Sequence, residues 1–257
     1  MIDIERFRRE HGEVRINLGS NKAGIEGWIN IDNHIGLRIG SSRFLRALVL
    51  AVLKTGIVKY RPGDVIITPP PNLMIVDLTK CRLPFKDGSV DFVYTSHFLE
   101  HLPRYKTVQL LKEVNRVLRK GGTIRIIVPD LEILAREYVL YKDKKRSRNP
   151  MFRMENEEGG GRLSPIEAVN AHFSRYPKQN AVYTGFRGRL AGLLKTLFPN
   201  EFAHKWMYDF EDMRDALRSA GFGNIKKLKR GIGKVPDLKR LEQVSYESLY
   251  VEAEKLA

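Results

Sequence analysis

The sequence predicts an α/β fold on a largely parallel sheet, and three observations carry that prediction. Short apolar runs alternate with stretches of helical periodicity, the rhythm of successive βαβ units. The first run opens into a tight turn containing Gly19 and Gly24, as a strand leaving a sheet edge does. No internal repeat or long low-complexity tract interrupts the pattern.

The elements follow in order. VRINL (14–18) reads as a first buried strand and GWINID (27–32) as a second. NLMIVDL (72–78) is the third, entered through TPPP, which no helix interior tolerates. VDFVYTS (90–96) is the fourth. In YKTVQLLKEVNRVLRK (105–120), Val108, Leu111, Val114, Val117 and Leu118 form a helical stripe ended by Gly121-Gly122. TIRIIVPD (123–130) is a fifth strand. DFEDMRDALRSAGF (209–222) is a capped helix ending in glycine, and NIKKLK with SYESLYVEAEK forms the final strand pair.

Two segments are longer than a simple connection needs. Residues 35–71 separate strands two and three, and within them SSRFLRALVLAVLKTGIV reads as a basic-flanked amphipathic helix. Residues 142–205 combine a charged run, a glycine cluster and several aromatics. Both read as insertions on one domain spanning 1–257, the second as a basic lid or acceptor-recognition segment, because inserted loops carry substrate choice.

A chain of 257 residues, 42% of them hydrophobic, can bury one substantial core. Its formal charge of +15 favours anionic partners: nucleic acid, an acidic membrane or a phosphorylated substrate. The excess gathers in YKDKKRSRNPMFR (141–153) and KKLKRGIGKVPDLKR (226–240), although a merely solvated basic face accounts for such runs equally well. The single cysteine, Cys81, excludes an internal disulfide framework and fits a reducing compartment. The charged start does not read as a signal peptide, and ALVLAVL (47–53) is far shorter than the ~20 residues of a membrane span. The expected location is the cytoplasm, with room for peripheral contact with the inner face of the membrane.

Several motifs can be weighed and set aside. In NLGSNKAGIEGW, Ile25-Glu26 stand where a phosphate-binding P-loop needs Lys-Ser/Thr. Asn21 occupies the second glycine position of a dinucleotide fingerprint. Asp32, closing strand two, can receive both hydroxyls of a ribose or cap a helix. SHFLEH (96–101) matches the H-x-x-E-H pattern of inverted zinc peptidases through His97, Glu100 and His101. Glu155, Glu157, Glu158 and Glu167 offer a further zinc ligand downstream, but the peptidase reading explains neither GWINID nor KGGTIRIIVPDL. The match is accidental.

Taken together, GWINID, the VDL that ends strand three at Asp77, LPFKDGSVDFVYTSHFLEHL (83–102) and RVLRKGGTIRIIVPDLE (116–132) resemble the class I S-adenosylmethionine-dependent methyltransferases. More narrowly they resemble the branch found among polysaccharide-biosynthesis genes. The likeness covers 14–137 and resumes at HKWMYDFEDMRDALRSAGF (204–222) and SLYVEAEK. The chain departs from the wider class in its glycine-poor first loop, Gly19-Ser-Asn in place of G-x-G.

The resemblance implies a Rossmann-like fold, a mostly parallel seven-stranded sheet with helices on both faces, binding S-adenosylmethionine and releasing S-adenosylhomocysteine. It places the methionine part of the cofactor against Leu18, Gly19 and Ser20 and the ribose hydroxyls on Asp32. Asp77 would accept from the adenine amino group beside the Leu78 backbone, while Ser96 and His97 would face the sulfonium and the acceptor. A hydroxyl acceptor needs a general base or a metal, and His97, His101 and His204 are the candidates, ahead of His172. Glu100 with His101 can instead anchor a helix start, and His204 can cap one. Trp206, Tyr208 and Phe210 can floor an acceptor pocket or pack in the core. Asp130 and Glu132 can help hold a metal or cap a helix. The implied acceptor is a sugar hydroxyl on a glycan or glycolipid. An RNA methyltransferase and a degenerate cofactor-binding scaffold without turnover are the alternatives, and the oligomeric state, homodimer included, stays open.

Overall fold

The computed structural model describes residues 2–55, 63, 66–142, 169, 204–243 and 248–256. Within them the strands are β1 (Arg15–Leu18), β2 (Ile29–Asp32), β3 (Leu73–Ile75), β4 (Val90–Ser96), β5 (Leu118–Pro129), β6 (Phe222–Leu228) and β7 (Ser248–Lys255). They form one seven-stranded sheet in the order β3-β2-β1-β4-β5-β7-β6. All pairings from β3 to β5 are parallel, and β7 runs antiparallel between β5 and β6.

Side chains alternate across a strand, so one sheet builds two cores. Ile16, Ile29, Ile31, Val93, Ile126 and Val251 face a large cluster. It is completed by helix α4 (Arg104–Val117), through Leu110, Leu111, Val114 and Val117, and by helix α6 (Phe210–Ser219), through Met213, Ala216 and Leu217. Trp28, Tyr94, Ile127 and Tyr250 face the other side and meet Val235 and the short helix α7 (Leu238–Leu241). Asp209 caps α6 by accepting from the Asp212 amide, and Gly221, at φ +86°, turns the chain into β6.

Some boundaries differ from those expected. The helix read over 105–120 ends at Val117, because Leu118 is already extended, fully buried and paired with Val90. The Lys255 ammonium donates to the carbonyls of Arg116 and Leu118, satisfying acceptors that the helix end leaves open. Strand β3 is only three residues long, since Asp77 leaves the ladder to cap a 3-10 turn at Leu78–Lys80.

The helix expected in 41–58 is α3 (Arg43–Lys54), and a separate helix not anticipated, α2 (Ile35–Ser41), precedes it. They are separated at extended Ser42, whose side chain accepts from the Leu45 amide. Helix α3 buries none of its residues, and Phe44, Leu48 and Val52 line one outward stripe. Helices α1 (Ile4–His11), α5 (Leu131–Lys142) and α7 were not anticipated. The charged run beyond Lys142, His172 and the downstream glutamates lie outside the described residues. Among the described residues no helix is long and apolar enough to cross a membrane.

Candidate functional site at the carboxyl edge of the sheet

Strand order decides which side chains meet. The carboxyl ends of β3, β2, β1 and β4 lie side by side, with β2 paired to β3 through Asp32↔Ile75 and β1 to β4 through Leu18↔Thr95. Asp77, Asp32, Gly19 and the Ser96-His97 pair therefore follow one another along one edge. The chain reverses its winding between β1 and β4, the crevice where open α/β sheets bind ligands.

Residue by residue, that edge is closely built. Gly19 has φ +68°, and a Cβ there would fall 2.5 Å from the Phe98 ring, so conformation and space both demand glycine. The Gly19 and Ser20 amides donate to the Ile31 carbonyl at 2.9 and 3.2 Å. Asp32 accepts from the Asn21 amide at 2.8 Å through Oδ2 and from the His34 amide at 2.6 Å through Oδ1. One carboxylate thus ties the first loop to the start of α2, and each oxygen keeps a second lone pair. Asp77 Oδ1 accepts from both the amide and the hydroxyl of Thr79, at 3.1 and 2.6 Å.

His97 stands just past β4 in the left-handed region, at φ +50°, which non-glycine residues occupy at a cost. Its amide donates to the Ile127 carbonyl at 2.9 Å, its Nε2 lies 3.1 Å from Ser248 Oγ, and its Nδ1 lies 3.3 Å from Glu100 Oε1. Ser248 reaches this edge because β7 is reversed, so its first residue sits beside Pro129, the last of β5. Glu100 and His101 lie in a 3-10 turn (Leu99–His101), two residues short of α4. They do not cap α4, which starts behind Pro103 with no side-chain cap.

His204 does not cap α6 either, since Asp209 holds that position. Instead the 204–206 segment is strapped to the turn, with the Lys205 and Trp206 amides donating to the Glu100 carbonyl at 2.7 and 3.2 Å. The His101 and His204 rings are 5.1 Å apart, and His204 Nε2 is 4.0 Å from Glu100 Oε1.

The other candidates separate cleanly. Tyr208 is fully buried, its hydroxyl donates to Thr107 Oγ1 at 2.9 Å, and burial pushes that phenol up to about 12. Phe210 packs against the same core, which leaves Trp206 alone with an open ring, 42% exposed. Asp130 accepts from the Glu132 amide at 3.0 Å and pairs with Lys227 at 3.1 Å, and Lys227 also reaches Glu132. That pair of acids is committed to a cap and a cation, and the expectation of a metal there is withdrawn.

Among the described residues, buried side-chain oxygens without a hydrogen-bond partner concentrate at this edge. Ser20 Oγ, Asn21 Oδ1, Thr95 Oγ1 and both Glu100 oxygens all belong to residues at or just beyond the ends of β1 and β4. Such atoms are rare in folded chains, and a bound water, ion or ligand commonly supplies the missing partner. Asn21, Thr95 and Ser248 escaped the sequence reading: register brings Thr95 and Ser248 to the edge, and no local motif flags them.

A profile described as a methyltransferase domain matches residues 61–126. With the reversed β7 and the 3-2-1-4-5-7-6 order already established, that settles the architecture. The chain has the class I methyltransferase fold.

A demethylmenaquinone methyltransferase of Lysinibacillus sphaericus (strain C3-41) is 26% identical over 149 residues, 47% of this chain and 63% of that protein. One of Staphylococcus aureus (strain JH9) is 36% identical over 73 residues, 27% of this chain and 30% of that protein. The chain thus spans less than two thirds of the length of these curated relatives. Among solved structures, a methyltransferase of Methanosarcina mazei aligns with a TM-score of 0.42 at 14% identity, over 100% of this chain and 98% of that one. One of Archaeoglobus fulgidus aligns at 0.42 and 16%, over 98% and 92%.

Proposed function

We propose that this methyltransferase-fold chain binds S-adenosylmethionine along the β3-β2-β1-β4 edge and transfers its methyl group to an acceptor hydroxyl. The observation that carries this reading is the row of unpartnered buried oxygens at Ser20, Asn21 and Thr95, flanked by Asp32 and Asp77. Leu18, Gly19 and Ser20 would take the methionine part, Asp32 the ribose hydroxyls, and Asp77 the adenine amino group beside Leu78. Ser96 and His97 would border the sulfur.

The cofactor brings its own activated methyl group, so the chain's work is alignment, exclusion of water and removal of the acceptor proton. His97 suits the last task. The Glu100 carboxylate, 3.3 Å from Nδ1, would favour the imidazolium by charge, and Ser248 Oγ on Nε2 offers a route for the proton. An imidazole at the methyl-transfer edge favours an oxygen acceptor, and the open face of Trp206 favours a sugar. A carbon acceptor of the demethylmenaquinone type is the second reading, favoured by the named relatives. Helix α3, with its apolar stripe between Arg43, Arg46 and Lys54, would hold the chain to an anionic bilayer where a lipid-linked acceptor resides.

The deciding experiment is thermal unfolding with and without S-adenosylhomocysteine, followed by assays with glycolipid and quinol acceptors. At ~100 times its dissociation constant the ligand adds about 2.7 kcal/mol, a rise of several degrees. Asp32→Asn should cut that affinity at least ~10-fold, since a ribose hydroxyl lost from a charged acceptor costs about 1.5–3 kcal/mol. No shift in the wild type overturns the cofactor. A shift without turnover on any acceptor identifies a scaffold, and sedimentation with anionic but not neutral vesicles checks α3.

A further inference from the structure

We propose that Glu100, His101 and His204 form a binding site for one divalent transition-metal cation beside the methyl-transfer edge. One ligand atom from each residue lies within 4.8 Å of the other two, with Glu100 buried and the two imidazoles half-buried. For a tetrahedral ion with ~2.1 Å bonds the ligand atoms stand about 3.4 Å apart, so a modest contraction of three side chains closes the site.

Glu100 is the reason to read the cluster as more than packing. Among the described residues the other buried carboxylates each have a cation and an amide. Asp91 has Arg8, Arg119 and the Val14 amide. Asp130 has Lys227 and the Glu132 amide. Glu242 and Glu252 share Arg125 and take the amides of Gly231 and Lys234. Among the described residues, wholly buried Glu100 accepts no hydrogen bond on either oxygen, and the charged partners within ion-pair distance are the His97 and His204 imidazoles. An isolated buried carboxylate is costly, and a bound cation supplies the missing charge.

The backbone is built to hold the cluster. The Lys205 and Trp206 amides on the Glu100 carbonyl join two segments a hundred residues apart, so the third ligand arrives in a fixed place. Two imidazoles and one carboxylate suit a borderline first-row ion such as Zn(II), Co(II) or Fe(II) rather than Mg or Ca, and leave positions for water or an acceptor oxygen. Any part in the reaction rests on the methyl-transfer reading, whereas binding of the ion does not. In that reaction the ion held by Glu100, His101 and His204 would acidify an acceptor hydroxyl, and His97 would take its proton while the oxygen pair bonds the methyl carbon and the carbon–sulfur pair returns to sulfur.

The test is metal binding itself. Chelator-stripped full-length protein is titrated with Co(II), read by visible absorption and calorimetry, and then competed with Zn(II). One equivalent should bind at micromolar or lower dissociation constant. Glu100→Gln and His204→Gln should each weaken binding at least tenfold, and His11→Gln, outside the cluster, should not. Circular dichroism identifies variants that retain the fold, and His101→Gln stands in for one that does not. Absence of stoichiometric binding in the wild type, or binding undiminished in the folded ligand variants, overturns the site. Metal bound by a chain that ignores S-adenosylhomocysteine upholds the site while removing the methyl-transfer reading.

Discussion

At the scale of single residues, His97 concentrates the most constraint. A β-carbon at φ +50° is tolerated because the amide bonds Ile127 and Nε2 meets Ser248 Oγ at 3.1 Å. Asparagine occupies the left-handed region readily and lacks the imidazole, so His97→Asn isolates chemistry from backbone strain. It should leave S-adenosylhomocysteine binding nearly intact and lower kcat by ~10²–10⁴-fold, the usual contribution of a positioned base. Full activity in this variant removes His97 as the base. The edge positions of Asp32, Asp77 and His97 were legible because Asp32 ends β2 and the other two follow the readable runs of β3 and β4. Thr95 and Ser248 were not, since their importance comes from pairing partners 77 and 119 residues away, Leu18 and Pro129.

Elements are legible when periodicity and burial coincide. Strand β4 and helix α6 match their expected spans closely because continuous apolar runs and the Asp209 cap mark them locally. Helix α1 was missed because Phe7 is its one buried side chain, and charge hides so thin a stripe. The overlong reading of α4 has a different cause: Leu118 enters the sheet opposite Val90, and Lys255 satisfies the open carbonyls of Arg116 and Leu118, before the glycines are reached. Near that end Glu113 accepts from Arg116 and from the Leu83 amide, pinning the 82–87 loop at the amino end of β4. Hydrogen bonding to Arg116 holds the Glu113 carboxyl below its ordinary value, with the Leu83 amide adding to it. The unfolded chain therefore binds more protons in the acid range. The stability Glu113 contributes is full above the unfolded carboxylate value near ~4.3 and is lost as pH falls through the lowered folded one. Glu113→Gln should lower stability at pH 7 and flatten its decline between pH 5 and 3 in urea titrations. Parallel acid limbs for the two proteins would deny Glu113 this role.

At the scale of the molecule, the reversed β7 links scaffold and site. It delivers Ser248 to the carboxyl edge, and it brings Glu252 beside Arg125, which lies wholly buried within β5. Arg125 also pairs with Glu242 at 2.8 Å and donates to the Lys229 and Ile232 carbonyls, while its guanidinium lies 5.2 Å from the centre of the Tyr250 ring. One cation thus gathers the connection between β6 and β7, which would otherwise be free to leave the second core face. Burying an ion pair is not in itself stabilising, but breaking one strands its partner. Arg125→Met keeps the volume and leaves Glu242 and Glu252 with amides but no cation, which should cost about 3–5 kcal/mol. At about 2–4 °C per kcal/mol for a chain of this size, the melting temperature should fall by roughly 6–20 °C. Adding Glu242→Gln should recover part of the loss, because the stranded charge and not the missing methylenes is the cause. A double variant no more stable than Arg125→Met would locate the cost in packing against Tyr250 instead.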